Sequence, residues 1–173
     1  RQLFRFHYDG TEHDPYLNQN PNEVYRPVSI FRTTQTHLLH VRPELPQAIG
    51  RINYVALGMA DLGVFLPLYE GISSYPKAYT KGTNTSSHES AYWKFRKVQA
   101  LGMVNYNRYA PIIKKVYADF EAEMDQRQRE MEERYLAVYQ TQPLYAKDLL
   151  QEFSDKLLRS ALEVTDQLIE TLF

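Results

Sequence analysis

The sequence predicts an α+β fold, an antiparallel β meander followed by long helices packed on one side of the sheet. Three observations predict it. β-Branched and alternating residues gather between Val28 and Leu66, the hydrophobic period becomes helical after Ser86, and Gly and Pro mark the boundaries. Residues 1–85 are therefore read as strands and loops, and residues 86–173 as helical, within one domain.

The first section, Arg1 to Arg26, is rich in Asn, Asp, Pro and Tyr. Asp9-Gly10, Asp14-Pro15 and Asn20-Pro21 are turn signals, and Leu3, Phe4 and Phe6 form a candidate short strand. Val28 to Val41 reads as a long strand. Val28, Ile30, Arg32, Thr34, Thr36 and Leu38 fall on one face, and Ser29, Phe31, Thr33, Gln35, His37, Leu39 and Val41 on the other. Pro43 and Pro46 end it, and Gly50 turns the chain. Ile52 to Leu57 is the second strand, Gly58 to Gly63 a turn, and Val64 to Leu66 a short third strand. Gly71 to Ser87 is a loop.

Ser86 and Glu89 have capping-box spacing and predict a helix from there to about Arg108. Tyr92, Phe95, Val98, Leu101 and Met103 form its buried side. Pro111 suits the first turn of the next helix. That helix carries Ile113, Val116, Phe120, Met124, Met131, Tyr135 and Val138 to about Tyr139. Thr141 to Pro143 break it, and a last helix runs from about Leu144 to Leu172. Leu149, Phe153, Leu157, Ala161, Val164, Leu168 and Leu172 line one stripe of it. Ser154 is either a mid-helix residue or the start of a second segment. The last two helices are expected to form an antiparallel hairpin. The mixed-sign run Glu121 to Arg134 reads as a solvated helix face with i,i+4 pairs.

Composition narrows the function. The 173 residues suffice for one core. With 43% hydrophobic and 24% charged residues the chain has a globular balance. A net charge of −1 gives no sign of a nucleic-acid partner. With no Cys, disulfides, thiolate metal sites and a cysteine nucleophile within these residues are excluded. No apolar run reaches the length of a membrane span, and Arg1 to Gly10 lacks the apolar stretch of a signal peptide. Cytoplasmic placement is the expectation, and so is a chain cut from a longer polypeptide, because it starts at Arg.

Several residues invite chemistry. His37 and His40 are three apart on a strand, so their rings diverge and do not make a metal pair. One packed and one exposed histidine is expected. His13-Asp14 lacks the calcium-loop pattern and reads as a turn. Asn84-Thr85-Ser86 matches a glycosylation acceptor but reads as the loop before a helix. The fourteen tyrosines are spread along the chain, which favours packing over a ligand groove. Asp61 reads as a turn residue. Arg32 stands apart: a mid-strand guanidinium either holds a carboxylate bidentately or pairs with an internal acid. No metal ligand set, phosphate loop or nucleophile motif is evident, and no cofactor is expected.

Four blocks in order resemble the bacterial dipeptidase A family, relatives of the secernins. They are Arg26-Pro-Val-Ser-Ile-Phe-Arg-Thr-Thr-Gln-Thr-His37, Ile52-Asn-Tyr-Val-Ala-Leu-Gly58, Val64-Phe-Leu-Pro-Leu-Tyr-Glu-Gly71 and Ser90-Ala-Tyr-Trp-Lys-Phe-Arg96. The resemblance covers about Tyr25 to Arg96. Asn53-Tyr54 and Gly58-Met59-Ala60-Asp61 depart from the family's more usual Trp and Gly-Ser-Pro-Asp.

The resemblance implies an N-terminal-nucleophile cysteine hydrolase with a four-layer α/β/β/α sandwich, which cleaves dipeptides of broad composition. It implies that this chain is the C-terminal part, with the nucleophilic Cys upstream of Arg1 and no catalytic residue here. Arg32 and Thr33 are the candidate substrate-binding residues. The expected partners are dipeptides, the N-terminal part of the same enzyme and further copies in a homo-oligomer, without nucleic acid or membrane. The alternative is a non-enzymatic module whose C-terminal helices bind a partner or mediate oligomerisation. An isolated chain of this kind is expected to expose apolar sheet surface or self-associate.

Overall fold

The computed structural model describes residues 1–17 and 25–173, so the Asn20-Pro21 turn signal lies outside the described residues. The elements are α1 (Gln2–Arg5), β1 (Gln35–Val41), α2 (Gln47–Gly50), β2 (Arg51–Leu57), β3 (Leu66–Tyr69), a 3-10 turn (Lys77–Thr80), α3 (Ala91–Val104), α4 (Tyr106–Val138) and α5 (Pro143–Leu172). The three strands form one antiparallel sheet in the order β1-β2-β3, with Gln35 opposite Leu57, Val41 opposite Arg51 and Leu66 opposite Val55. The fold is α+β, as the strand-then-helix order predicts.

Alternation gives the sheet two unlike faces. Ile52, Tyr54, Ala56 and Tyr69 pack against Met131, Tyr135, Leu149 and Leu150 of the helical hairpin. The opposite face presents His37, Leu39, Val41 and Asn53. Leu39 is 74% and Val41 63% exposed, so apolar side chains on this face are left uncovered. A second core cluster joins Met59, Leu62 and Val64 to α3 and to the other half of the hairpin, through Phe95, Val98, Ile113, Leu158 and Leu168. Helices α4 and α5 run antiparallel: Tyr117 bonds Thr165 at 3.2 Å, and Pro143 starts α5 after a short connection.

Several sequence expectations shift. Leu3, Phe4 and Phe6 form no strand. Gln2–Arg5 makes one helical turn, which sets Arg1 and Arg5 four residues apart so that both reach Glu121. The first strand starts at Gln35, because the backbone of Ser29 is taken elsewhere. Its N–H donates to the Phe6 carbonyl at 2.9 Å and its carbonyl accepts the Tyr16 hydroxyl. The third strand begins at Leu66, two residues later than Val64. The Phe65 N–H donates to the Glu121 carboxylate at 2.8 Å and is not free for a ladder. Pro67 is tolerated because β3 has a free edge among the described residues.

Helix α3 starts at Ala91, and Ser90 makes no side-chain cap bond. The expected capping box fails because Glu89 turns to Lys81. Asn105 ends α3 and caps α4, its side chain accepting the Arg108 N–H at 3.2 Å. Pro111 therefore lies inside α4, not at its first turn. Ser154 lies mid-helix in α5.

The charged run on α4 is only partly a solvated face. Arg127 and Glu123 pair four residues apart at 2.5 Å. Glu121, Gln128 and Glu132, however, are buried on the stripe shared with Met124, Met131 and Tyr135. Arg42 clasps Glu132 bidentately, with both bonds at 2.7 Å, and also donates to the Ile49 carbonyl at 2.6 Å. Tyr69 donates to the same carboxylate at 2.6 Å, and Gln128 donates to Tyr54 at 2.9 Å.

Burial works against the charged form of Glu132, but hydrogen bonds from Arg42 and Tyr69 outweigh it and hold its pKa below the ordinary 4.5. A lowered folded-state pKa gives stability that is complete above about 4.5 and lost as pH falls through the folded value. Glu132→Ala is expected to cost about 2–4 kcal/mol, below the fully buried limit because Arg42 is partly solvated. Glu132→Gln should flatten the acid side of the urea-midpoint against pH curve. An unchanged acid limb would remove Glu132 from the stability balance.

Candidate functional site

Residues Ser29–Thr34 form a tight turn at the foot of β1, and the sequence holds it from several sides. Ser29 Oγ accepts the Asp61 N–H at 2.8 Å, which ties the turn to the bend after β2. Within it Thr33 N–H donates to the Ile30 carbonyl at 2.9 Å. On the far side the Gly58 N–H donates to the Thr34 carbonyl at 2.7 Å. Gly58 has φ +79°, and a Cβ there would sit 2.2 Å from Gln99 Oε1, so both backbone shape and space require glycine.

Gln99 is buried in α3 and holds that bend. Its Oε1 accepts the Met59 N–H at 2.9 Å, and its Nε2 donates to the Leu57 carbonyl at 2.9 Å. One helical turn earlier, Arg96 donates to the Phe31 carbonyl, and its guanidinium lies 3.9 Å from the Phe31 ring centroid.

The predicted substrate residues Arg32 and Thr33 therefore sit together on this turn and not on a strand. Arg32 is exposed and makes no hydrogen bond or ion pair among the described residues. Internal pairing, one of its two readings, is thus not realised there. The turn runs directly into Gln35, at the rim of a cleft of about 240 Å³ on the uncovered sheet face, lined by His37, Asn53, Val55, Leu68 and Tyr79 among others.

His37 and His40 do diverge, but both are exposed, against the expectation of one packed ring. His37 Nδ1 lies 3.2 Å from Asn53 Oδ1. Asn84, Thr85 and Ser86 lie in an exposed loop. Six tyrosines, at 16, 54, 69, 106, 117 and 135, are buried, in keeping with the packing reading.

Sequence reasoning missed a buried polar knot. His7 is fully buried. Its Nε2 lies 2.9 Å from Asp9, 3.6 Å from Asp14 and 2.9 Å from the Tyr106 hydroxyl. Its Nδ1 faces the Arg5 carbonyl at 3.0 Å. Tyr106 donates to Asp61 at 2.5 Å, and Lys114 meets Asp61 at 2.7 Å. Burial and the Asp61 charge push the Tyr106 hydroxyl well above its usual range, so it stays a donor.

Asp61 and Asp14 do occupy turns, but both are also buried members of this knot. His7, Asp9 and Asp14 bring donor atoms within 4.8 Å of one another and are the residues that could hold a metal. Lys114 already supplies a cation between Asp9 and Asp61. Both His7 nitrogens face oxygen atoms. The arrangement reads as a clasp fixing the N-terminal segment to α4. Only the His-x-Asp spacing at His7 and Asp9 hinted at it.

The comparisons with known proteins bear on this turn and its supports. The model of peptidase family C69 matches residues 1–119, which is most of the chain. The chain belongs to peptidase family C69. A probable dipeptidase of Salmonella dublin is 51% identical over 82 residues, 47% of this chain and 19% of the relative. Probable dipeptidase A of Streptococcus pyogenes serotype M18 (strain MGAS8232) is 32% identical over 106 residues, 60% of this chain and 22% of the relative. Dipeptidase A of Lactobacillus helveticus is 28% identical over 109 residues, 61% of this chain and 23% of the relative.

The matched stretch spans about a fifth of the length of these curated relatives. The resemblance read from four short blocks thus extends to the family, and the C69 match reaches from the N-terminal clasp into α4. In this C69 chain three of the four blocks meet at one place: the Arg26–His37 block supplies the turn, the Ile52–Gly58 block its far wall, and the Ser90–Arg96 block the arginine beneath it.

Gly58→Ala is expected to destabilise the protein by about 2–4 kcal/mol through left-handed strain and the clash with Gln99. Gln99→Ala should recover part of that loss in the double variant, because it removes the atom the new methyl meets. Additive losses in thermal denaturation would show that the two residues are not coupled.

Proposed function

We propose that this chain is the later part of a cysteine dipeptidase of the N-terminal-nucleophile type, which hydrolyses dipeptides of broad composition. One observation carries the reading: a chain without Cys belongs to family C69 and is 51% identical, over 82 residues, to a probable dipeptidase. Peptide hydrolysis by covalent catalysis needs an activated nucleophile, and in a cysteine enzyme that is the thiolate. On this reading the thiolate and its amino-group base come from residues outside 1–173. The present residues supply scaffold and one wall of the substrate site, and are inactive alone.

The α/β/β/α sandwich belongs to the same proposal. The uncovered sheet face with Leu39 and Val41 receives the second sheet, while α4 and α5 form an outer helical layer. The exposure of those two side chains beside an apolar cleft supports it. Cytoplasmic placement and homo-oligomeric assembly complete the proposal. No helix among the described residues is long and apolar enough to cross a membrane. A pure interaction module is less well supported, because the apolar stripes of α4 and α5 are consumed by the chain's own sheet and by each other.

Arg32, assisted by Thr33, holds the α-carboxylate of the dipeptide. A guanidinium offers two parallel N–H donors to a carboxylate, and Arg32 has no competing partner among the described residues. In the full-length enzyme, Arg32→Ala is expected to raise KM or lower turnover at least about tenfold, the loss of one charge-assisted hydrogen bond. Normal folding with unchanged kinetics would reject the role. Turnover of dipeptides by the purified 173-residue chain would overturn the whole reading.

A further inference from the structure

We propose that Arg96 is the positioning residue that aims Arg32 at the substrate carboxylate, and that the two guanidiniums together make the turn selective for a free C-terminal carboxylate. The proposal rests on the dipeptidase reading above. Arg96 lies on α3, half-buried, and grips residue 31 twice. Its guanidinium stacks on the Phe31 ring at 3.9 Å, and Nη1 donates to the Phe31 carbonyl. That carbonyl belongs to the same planar peptide unit as the Arg32 N–H. Holding its oxygen therefore fixes the orientation from which the Arg32 side chain departs. On the other side Thr33 is bonded to Ile30 and Thr34 to Gly58, so residue 32 is bracketed.

Charge supplies the second argument. Neither Arg32 nor Arg96 is paired with a carboxylate among the described residues. The polar contacts of Arg96 are the Phe31 carbonyl and, at 3.4 Å, the Gln99 side-chain oxygen. Among the described residues the other half-buried cations are matched, Arg1 with Asp125, Arg5 with Glu121, Arg42 with Glu132, Lys94 with Asp166 and Lys114 with Asp61, whereas several exposed ones such as Arg108 and Arg159 are, like Arg32, without a carboxylate. Two uncompensated positive charges at one turn favour an anionic ligand that brings its own carboxylate. Stacking and a directed N–H bond at once require a planar guanidinium, which lysine cannot reproduce.

The test uses the full-length enzyme and the ratio of kcat/KM for an unblocked dipeptide to that for its C-terminal amide. Arg32→Ala is expected to collapse this ratio. Arg96→Met should lower it by about tenfold, the scale of one charge-assisted bond, mainly through KM for the free dipeptide. Arg96→Lys should recover part of it. Equal losses on both substrates with Arg96→Met, leaving the ratio unchanged, would mean that Arg96 only supports folding and would overturn the proposal.

If Arg32→Ala collapses the ratio and Arg96→Met does not, the positioning role alone fails. If Arg32→Ala leaves the ratio unchanged, or the wild-type enzyme cleaves neither substrate, the underlying reading fails with it. Should Arg96→Met not fold, Arg96→Lys decides: a lowered ratio supports the proposal and an unchanged one rejects it.

Discussion

The fold depends on one polar seam, the buried acidic stripe of α4. Glu121 and Glu132 are eleven residues apart, three helical turns, and so point the same way. Each binds an arginine from elsewhere in the sequence and a further donor: Arg5 and the Phe65 N–H at one end, Arg42 and Tyr69 at the other. A carboxylate removed from water is costly unless its lone pairs are filled. Here the filling groups come from the N-terminal helix turn, the end of β1 and the start and end of β3. The seam is thus a specification of register. It stops β3 from starting at Phe65 and sets where the sheet sits against the helices.

The Ser29–Thr34 turn inherits its rigidity from that arrangement at one remove. Glu121 and Arg5 place the segment after β2, since Arg5 also donates to the Ala60 and Gly63 carbonyls at 3.3 and 3.1 Å. Asp61 in that segment then fixes Ser29 through its backbone and Tyr106 and Lys114 through its side chain. The Ser29–Thr34 turn is held at its base by this chain of contacts and at its tip by Arg96 and Gln99. An exposed guanidinium on such a support loses little further conformational freedom in the backbone when it binds. That is the condition under which a charge-assisted bond contributes most of its strength.

Much of this was legible in the sequence, and the remainder was hidden for identifiable reasons. Local periodicity found the last helix and the end of α4 almost to the residue, because their apolar stripes are long and continuous, while the start of α4 lies about a turn earlier than Pro111 suggested. The middle strand was equally clear. The boundaries that shifted did so where a distant side chain took a backbone group. Glu121 captured the Phe65 N–H, and Tyr16 and Phe6 captured both ends of Ser29. Nothing near Val64 or Val28 signals such partners.

The acidic stripe was within reach: Glu121, Gln128 and Glu132 share spacing with Met124, Met131 and Tyr135, but mixed charge masked the period. For Arg32, the β-branched neighbours favoured a strand. The structure instead puts it on a turn, whose tip leaves a side chain free of ladder neighbours.

The uncovered face of the sheet and the unpaired arginines make one argument together. On the dipeptidase reading, a chain that buries its own helical stripes, satisfies its acidic seam and still leaves Leu39 and Val41 in solvent is one side of a layered structure. At the turn, Arg32 and Arg96 have no carboxylate partner among the described residues, while the other half-buried cations have theirs. On the dipeptidase reading the two deficits have different complements. The apolar face is covered by protein from outside these residues, and the charges are met by substrate. A site formed where scaffold, second layer and ligand converge excludes water only when all three are present. That gives a physical reason why a cysteine enzyme can keep the nucleophile and the carboxylate-binding turn on separate stretches of chain.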